Sequence, residues 1–249
     1  MRLPELTEVA PGVVVATGTH VNWILVIDGP DVTLVDAGFY RDYGMVRASL
    51  DDVRRRAPHL AAVVLTHAHV DHLGGAGRLH RAEGVPVLAH ADEVAHVRGE
   101  RIEQISTVQV LARAWHPRVL RWALDILRAG GPRADRVPDV QEFAPAGRPL
   151  DVPGGVVPIP TPGHTSGHCS YHLPEQGVLL VGDAFATAHK VTGKQHPHLL
   201  PGAFGNDAAA ARASLDALEP LAADVVVAGH GPAFHGSPAD AVRRVRESL

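Results

Sequence analysis

The sequence predicts an α/β fold built in layers, with two sets of strands and helices outside them. Three observations carry this expectation. Short β-branched runs bounded by Gly, Pro and Asp recur in two batches. Segments with helical spacing lie between those runs. A helical stretch near 100–130 and a Pro/Gly-rich connector over 130–155 link the batches, so one domain over 1–249 is expected.

Taken in order, the first strands are expected at 12–16, 23–27, 32–36, 62–66 and 85–89. The second batch falls at 156–161, 170–173, 178–182 and 224–228. Helices are expected at 43–56, 72–83, 91–97, 207–218 and 237–247. The last two begin on good N-caps, Asp207 and Ser237, and Pro238 occupies a first helical position. In the middle stretch Ile102, Ile105, Val108, Leu111, Ala112 and Trp115 recur at helical spacing until Pro117. Val119, Trp122, Ala123, Ile126 and Leu127 then mark a second helix.

Composition narrows the function classes. A net charge of −4 offers no basic face for phosphate, so no nucleic-acid partner is expected. No apolar run approaches the ~20 residues of a membrane span, and no membrane partner is expected. Glu5 and Glu8 stand where a secretory leader needs an apolar core. A single cysteine, Cys169, excludes an internal disulfide and suits a reducing cytoplasm, the expected location. The 17 histidines are the unusual count, because imidazole is the commonest metal ligand.

They concentrate at a strand end. Residues 65–77 read LTHAHVDHLGGAG, which puts His67, His69, Asp71 and His72 within six positions. In extended chain, residues two apart point the same way, so His67 and His69 can grip one ion. Gly74 and Gly75 permit a tight turn that lets Asp71 and His72 face a second. Three later strand ends carry further ligand types beside Gly and Pro: His164 and His168 in TPGHTSGH, Asp183 after Gly182, and His230 in AGHGP. Repeated placement of such groups at strand ends is how α/β folds assemble a site.

The run His67-Ala68-His69-Val70-Asp71-His72, followed by His164, Asp183 and His230, resembles the HxHxDH…H…D…H pattern of the metallo-β-lactamase superfamily. The likeness extends from Val35-Asp36-Ala37-Gly38 to Gly229-His230-Gly231 and so covers most of the chain. It implies an αββα sandwich of two mixed β-sheets with outer helices, here with a helical insertion around 100–130. It also implies one metal on His67, His69 and His164, and another on Asp71, His72 and His230, with Asp183 bridging them. Asp36 resembles the family's buried aspartate that orients ligands from behind, and His168 is a candidate for a similar task. The expected cofactors are two Zn(2+) ions per chain, although such sites also accept iron or manganese.

Two divalent ions ~3.5–4 Å apart share a bridging water and lower its pKa toward neutrality, yielding a hydroxide nucleophile. A carbonyl carbon suits that nucleophile, since a metal also polarises its oxygen. Asp71 is the expected catalytic residue, orienting the hydroxide and moving its proton. The expected enzyme is therefore a dinuclear zinc hydrolase of a small ester, thioester or lactone. Alternatives are a β-lactam-hydrolysing enzyme, an iron-dependent oxidoreductase resembling persulfide dioxygenases, and a nuclease of the superfamily.

The bridging Asp183 resembles glyoxalase II and the lactonases, and the zinc β-lactamases lack it. This sequence departs from those nearer relatives as well. Ala184-Phe185-Ala186-Thr187-Ala188-His189-Lys190 replaces the Gly-Arg-rich segment of glyoxalase II and the persulfide dioxygenases. Ala186 stands where the quorum-signal lactonases carry tyrosine, and, with the sequence ending soon after His230, the helical glutathione-binding domain of glyoxalase II is not expected here. Substrate contacts are expected from Trp115, Trp122, Phe185 and His189, with the 100–130 helices as an apolar lid. The same helices could instead pack on the sandwich or join two copies into a homodimer.

Overall fold

The computed structural model describes residues 3–143 and 147–249. Seven strands form one mixed sheet in sequence order: β1 (Glu5–Ala10), β2 (Val13–Thr17), β3 (Asn22–Asp28), β4 (Asp31–Val35), β5 (His59–Val64), β6 (Val87–His90) and β7 (Gln141–Phe143). A second sheet holds β8 (Val157–Pro160), β9 (Cys169–Leu173), β10 (Val178–Gly182), β11 (Val225–Ala228) and β12 (Phe234–His235), in the order β12-β11-β10-β9-β8. β4, β5, β6 and β7 run parallel, as do β10 and β11, and the other pairs are antiparallel.

The helices, in chain order, are α1 (Tyr43–Val53), α2 (Val70–Leu73), α3 (Ala76–Glu83), α4 (Val94–Arg98), α5 (Thr107–Leu111), α6 (Pro117–Ala129), α7 (Ala208–Ala213), α8 (Leu215–Leu218) and α9 (Pro238–Glu247). None is long and apolar enough to cross a membrane among the described residues.

Strand periodicity explains the layers. In β10, Val178 and Leu180 pack in one cluster with Val13, Val15, Ile24 and Val64 of the other sheet. Leu179 and Val181 point the opposite way, onto Leu215, Leu218, Val242 and Val245 of α8 and α9. The run is apolar throughout because both of its faces are covered. On the far side, Leu25, Leu34 and Val63 pack against Val46 and Leu50 of α1 and Leu79 of α3. The result is the αββα sandwich. Each fully buried aliphatic side chain adds roughly 1.5–3 kcal/mol to its stability.

Several expected elements differ in extent. β1, β7 and β12 were not expected; the last two are three and two residues long, too short to show a period. The expected 72–83 helix breaks into α2 and α3 at Gly74 and Gly75, because the backbone of Phe39 and Tyr40 lies where a Gly74 Cβ would sit. The expected 207–218 helix divides at Ser214, whose hydroxyl donates to the Pro162 carbonyl at 2.7 Å. Within the insertion the first helix shrinks to α5, capped by a reciprocal Ser106–Gln109 box. His116 caps α6, and Pro117 opens it.

Candidate metal centre

The parallel strands aim their C-terminal ends at one edge, and the ligand types gather there. His67, His69, Asp71 and His72 follow β5, His164 lies in the β8–β9 loop, Asp183 follows β10, and His230 follows β11. Three overlapping groups bring their donor atoms within 4.8 Å of one another: His67/His69/His164, His67/His72/Asp183 and Asp71/His72/His230. Asp183 lies between the halves. Its Oδ2 is 3.3 Å from His164 Nε2 and 3.2 Å from His230 Nε2, and its Oδ1 is 3.5 Å from His72 Nε2. Asp71 Oδ2 is 3.5 Å from His230 Nε2.

The imidazoles are fixed from behind. His72 Nδ1 donates to Asp36 Oδ2 at 2.7 Å, and His230 Nδ1 to the His20 carbonyl at 2.6 Å. His69 Nε2 donates to the Glu103 carbonyl at 2.5 Å. The Thr66 hydroxyl gives its proton to Asp36 Oδ2 and so accepts from His67 Nδ1 at 3.0 Å. In each ring the opposite nitrogen faces the cluster and offers its lone pair to a cation once it carries no proton. His67 Nε2, His72 Nε2 and Asp183 Oδ1 are buried without a hydrogen-bond partner among the described residues. Buried polar atoms are rarely left unpaired, so this donor set fits cations.

Space is reserved for them as well. A Cβ on Gly229 would meet Asp183 Oδ1 and come within 2.7 Å of His72 Cε1. Gly182, at φ +49°, would place one 2.7 Å from His168 Nε2. Only glycine combines the backbone conformation at 182 with that clearance.

Asp36, with φ 64°, turns its carboxylate inward, where Oδ1 accepts Thr66 N–H at 2.8 Å as well. His168 Nε2 accepts from the Asp183 backbone N–H at 2.9 Å, which leaves Nδ1 to donate to Thr161 Oγ1. Burial lowers His168 to about 4, so it stays neutral and holds the Asp183 backbone. Burial likewise holds His67 and His164 well below the usual imidazole range and lowers His69. At His72, burial also acts downward, but Asp36, Asp183 and Asp71 together raise it to about 10. At His230 the same opposition ends in a rise, driven by Asp183 and Asp71.

One residue at the centre escaped the sequence reading. Glu93 is 1% exposed and takes four hydrogen bonds. Its Oε1 accepts Ala68 N–H at 2.8 Å and His96 Nδ1 at 2.9 Å. Its Oε2 accepts Thr165 Oγ1 at 2.8 Å and Gly167 N–H at 3.1 Å. It thereby ties the His67–His69 loop to the His164 loop. An acidic residue in a His-Ala-Asp-Glu turn carries no mark of this task.

The expected substrate contacts divide. Trp122 lines a small cavity of about 60 Å³ together with His189, Ile105, Phe204 and, from the cluster, His69, Asp71, His164, Asp183 and His230. A larger groove of about 480 Å³, lined by Thr17, Asn22 and Lys190, meets it at His189. Trp115 is a correction: it stands 82% exposed outside that cavity, because α5 ends early and its turn carries the ring outward. Phe185 is another: it is 1% exposed and packs with Leu179 and Leu215 beneath the helices. The thiol of Cys169 is buried, and burial pushes its pKa far up, as expected of a core residue.

Comparison with known proteins agrees with this architecture. The chain is 28% identical to a probable metallo-hydrolase, YflN, of Bacillus subtilis, over 80% of this chain and 74% of that protein. It is 29% identical to the hydroxyacylglutathione hydrolase of Rhizobium meliloti over 55% of this chain, but only 38% of that protein. A solved metallo-β-lactamase of Cronobacter sakazakii with a HARLDQ motif shares the fold at a TM-score of 0.69 and 19% identity, covering 99% of this chain and 93% of that one. The family model of the metallo-beta-lactamase superfamily matches residues 16–230, most of the chain, and the protein belongs to that superfamily.

Proposed function

We propose that this protein is a metal-dependent hydrolase that cleaves a small ester, thioester or lactone with two divalent cations, zinc in the first instance. The observation that carries the reading is the paired donor set, three imidazoles on one side and Asp71, His72 and His230 on the other, with Asp183 between them. When bound, the two cations would activate water as the nucleophile and polarise the carbonyl under attack.

The chain's own residues supply the rest. His67, His69 and His164 would hold one cation; Asp71, His72 and His230 the other; and Asp183 both. Asp71 is more exposed than the other ligands, with 19% of its side chain open. Its more open carboxylate would take up and release a proton beside the reacting carbonyl. Trp122, Phe204 and Ile105 form an apolar wall that excludes water and favours a substrate with a hydrophobic portion. His189 lies between that wall and the larger groove, where it would contact the polar end of the substrate. Likeness to hydroxyacylglutathione hydrolases supports thioesters as the first class to try.

The test joins metal analysis of the purified chain with a panel of thioesters, acyl-homoserine lactones and β-lactams. Two zinc ions per chain and turnover of a thioester or lactone are expected. Retention of full activity and metal content by Asp183→Ala and His67→Ala would refute the reading, and a single iron with oxidative turnover would replace it.

A further inference from the structure

Seven of the nine large apolar side chains left exposed among the described residues lie in the insertion: Ile102, Val108, Leu111, Trp115, Leu120, Leu124 and Leu127. The other two are near the chain ends, Leu3 and Leu249. Their clustering is not a by-product of covering the metal centre. Trp122 and Ile126, on the inner face of α6, already do that, and Leu120, Leu124 and Leu127 recur at i, i+4 and i+7 on an outer flank.

Beside that flank the charge is predominantly positive. Residues 100–130 contain Arg101, Arg113, Arg118, Arg121 and Arg128 against Glu100, Glu103 and Asp125, a net positive stretch in a chain that is otherwise acidic. Arg128 pairs with Asp125 at 3.3 Å. Arg113, Arg118 and Arg121 are exposed and make no ion pair among the described residues.

We propose that the α5–α6 insertion is a peripheral docking surface for an anionic lipid bilayer. Apolar side chains beside arginines, with a tryptophan at the turn, suit the boundary between headgroups and acyl chains. The acidic remainder of the molecule would be repelled by such a surface, so the basic insertion also sets the orientation. A second copy fits less well, because a two-fold contact through this face would bring unpaired arginines together. Composition pointed away from a membrane partner because it averages the insertion with the acidic remainder. The proposal concerns a surface that lies on the bilayer without spanning it, and it stands independently of the reaction assigned above.

The test uses the full chain with sedimented vesicles of phosphatidylcholine and of phosphatidylcholine mixed with phosphatidylglycerol. Binding to the mixed vesicles only, weakened by salt and accompanied by a blue shift in tryptophan emission, is expected. Arg118→Glu with Arg121→Glu should weaken that binding roughly tenfold or more, and Leu120→Ser with Leu124→Ser should abolish the blue shift. Absence of binding to mixed vesicles overturns the proposal, as does binding that neither pair of substitutions alters. A concentration-dependent dimer broken by Leu120→Ser with Leu124→Ser, without vesicle binding, would assign the face to a second copy and also overturn it.

Discussion

In the half of the metal centre formed by His67, His69 and His164, burial holds all three imidazoles below their ordinary range. In the half formed by Asp71, His72 and His230, the carboxylates of Asp36, Asp183 and Asp71 overcome burial and raise both imidazoles. Burial therefore keeps the first half neutral, whereas in the other half His72 holds a proton that a cation must displace. Among the supports, the carbonyl of His20 behind His230 matches that of Glu103 behind His69, and His72 is the ring held directly by a carboxylate. A hydroxyl stands behind His67. The tendency to hold protons is thus distributed unequally around Asp183.

The largest effect that would sharpen this contrast comes from Glu93, which holds Ala68 between His67 and His69 and Thr165 beside His164. Glu93→Gln puts an amide where a carboxylate oxygen now accepts two donors. Zinc affinity of the His67/His69/His164 half should fall about 10–100-fold, the usual cost of disturbing groups behind metal ligands. A stepwise zinc titration against a chromophoric chelator reads it, and equal weakening of both steps would break the comparison.

Next comes pH. Because His67 and His164 lie well below 6.5 and His72 lies at about 10, acid competes for the second half first. Dialysis through falling pH should remove one cation per chain before the other, with affinity for the first to leave dropping about tenfold per pH unit for each proton displaced. Simultaneous loss would contradict the assignment. In the metal-free chain the raised His72 has a separate consequence. Its contribution to stability is complete below its ordinary value of 6.5 and disappears as pH rises through about 10. Thermal melts of metal-free protein over that range would record the decline.

The smallest effect is the most local. Asp36→Asn retains a residue that tolerates the φ of 64° while removing the charge beside His72. Histidine NMR of the metal-free protein should show His72 titrating roughly one unit or more lower. No movement would transfer its raised value to Asp183 and Asp71.

The gathering of His and Asp side chains was legible in the sequence because Asp71, His72, His164, Asp183 and His230 all stand just beyond apolar strand runs, beside Gly and Pro, and the fold brings those strand ends to one edge. The two-sheet layering was legible from apolar runs such as 178–182, where both faces are buried. What escaped depends on partners distant in the chain. Glu93 gains its meaning only from Ala68, Thr165 and Gly167, and Phe185 only from helices that begin after residue 207. The exposure of Trp115 followed from the early end of α5, which helical spacing extended too far.

The carbonyl of Glu103 holds His69, and its carboxylate holds the Ser166 backbone and hydroxyl at 2.7 and 2.9 Å, while Arg101 pairs with it at 2.9 Å. The root of the insertion is thus a linkage in the thermodynamic sense. Whatever steadies residues 101–103 from outside steadies His69, and a cation on His69 must return the same free energy to the insertion. Occupancy of the metal centre should accordingly be readable at a distance, as slower amide exchange at the base of α5.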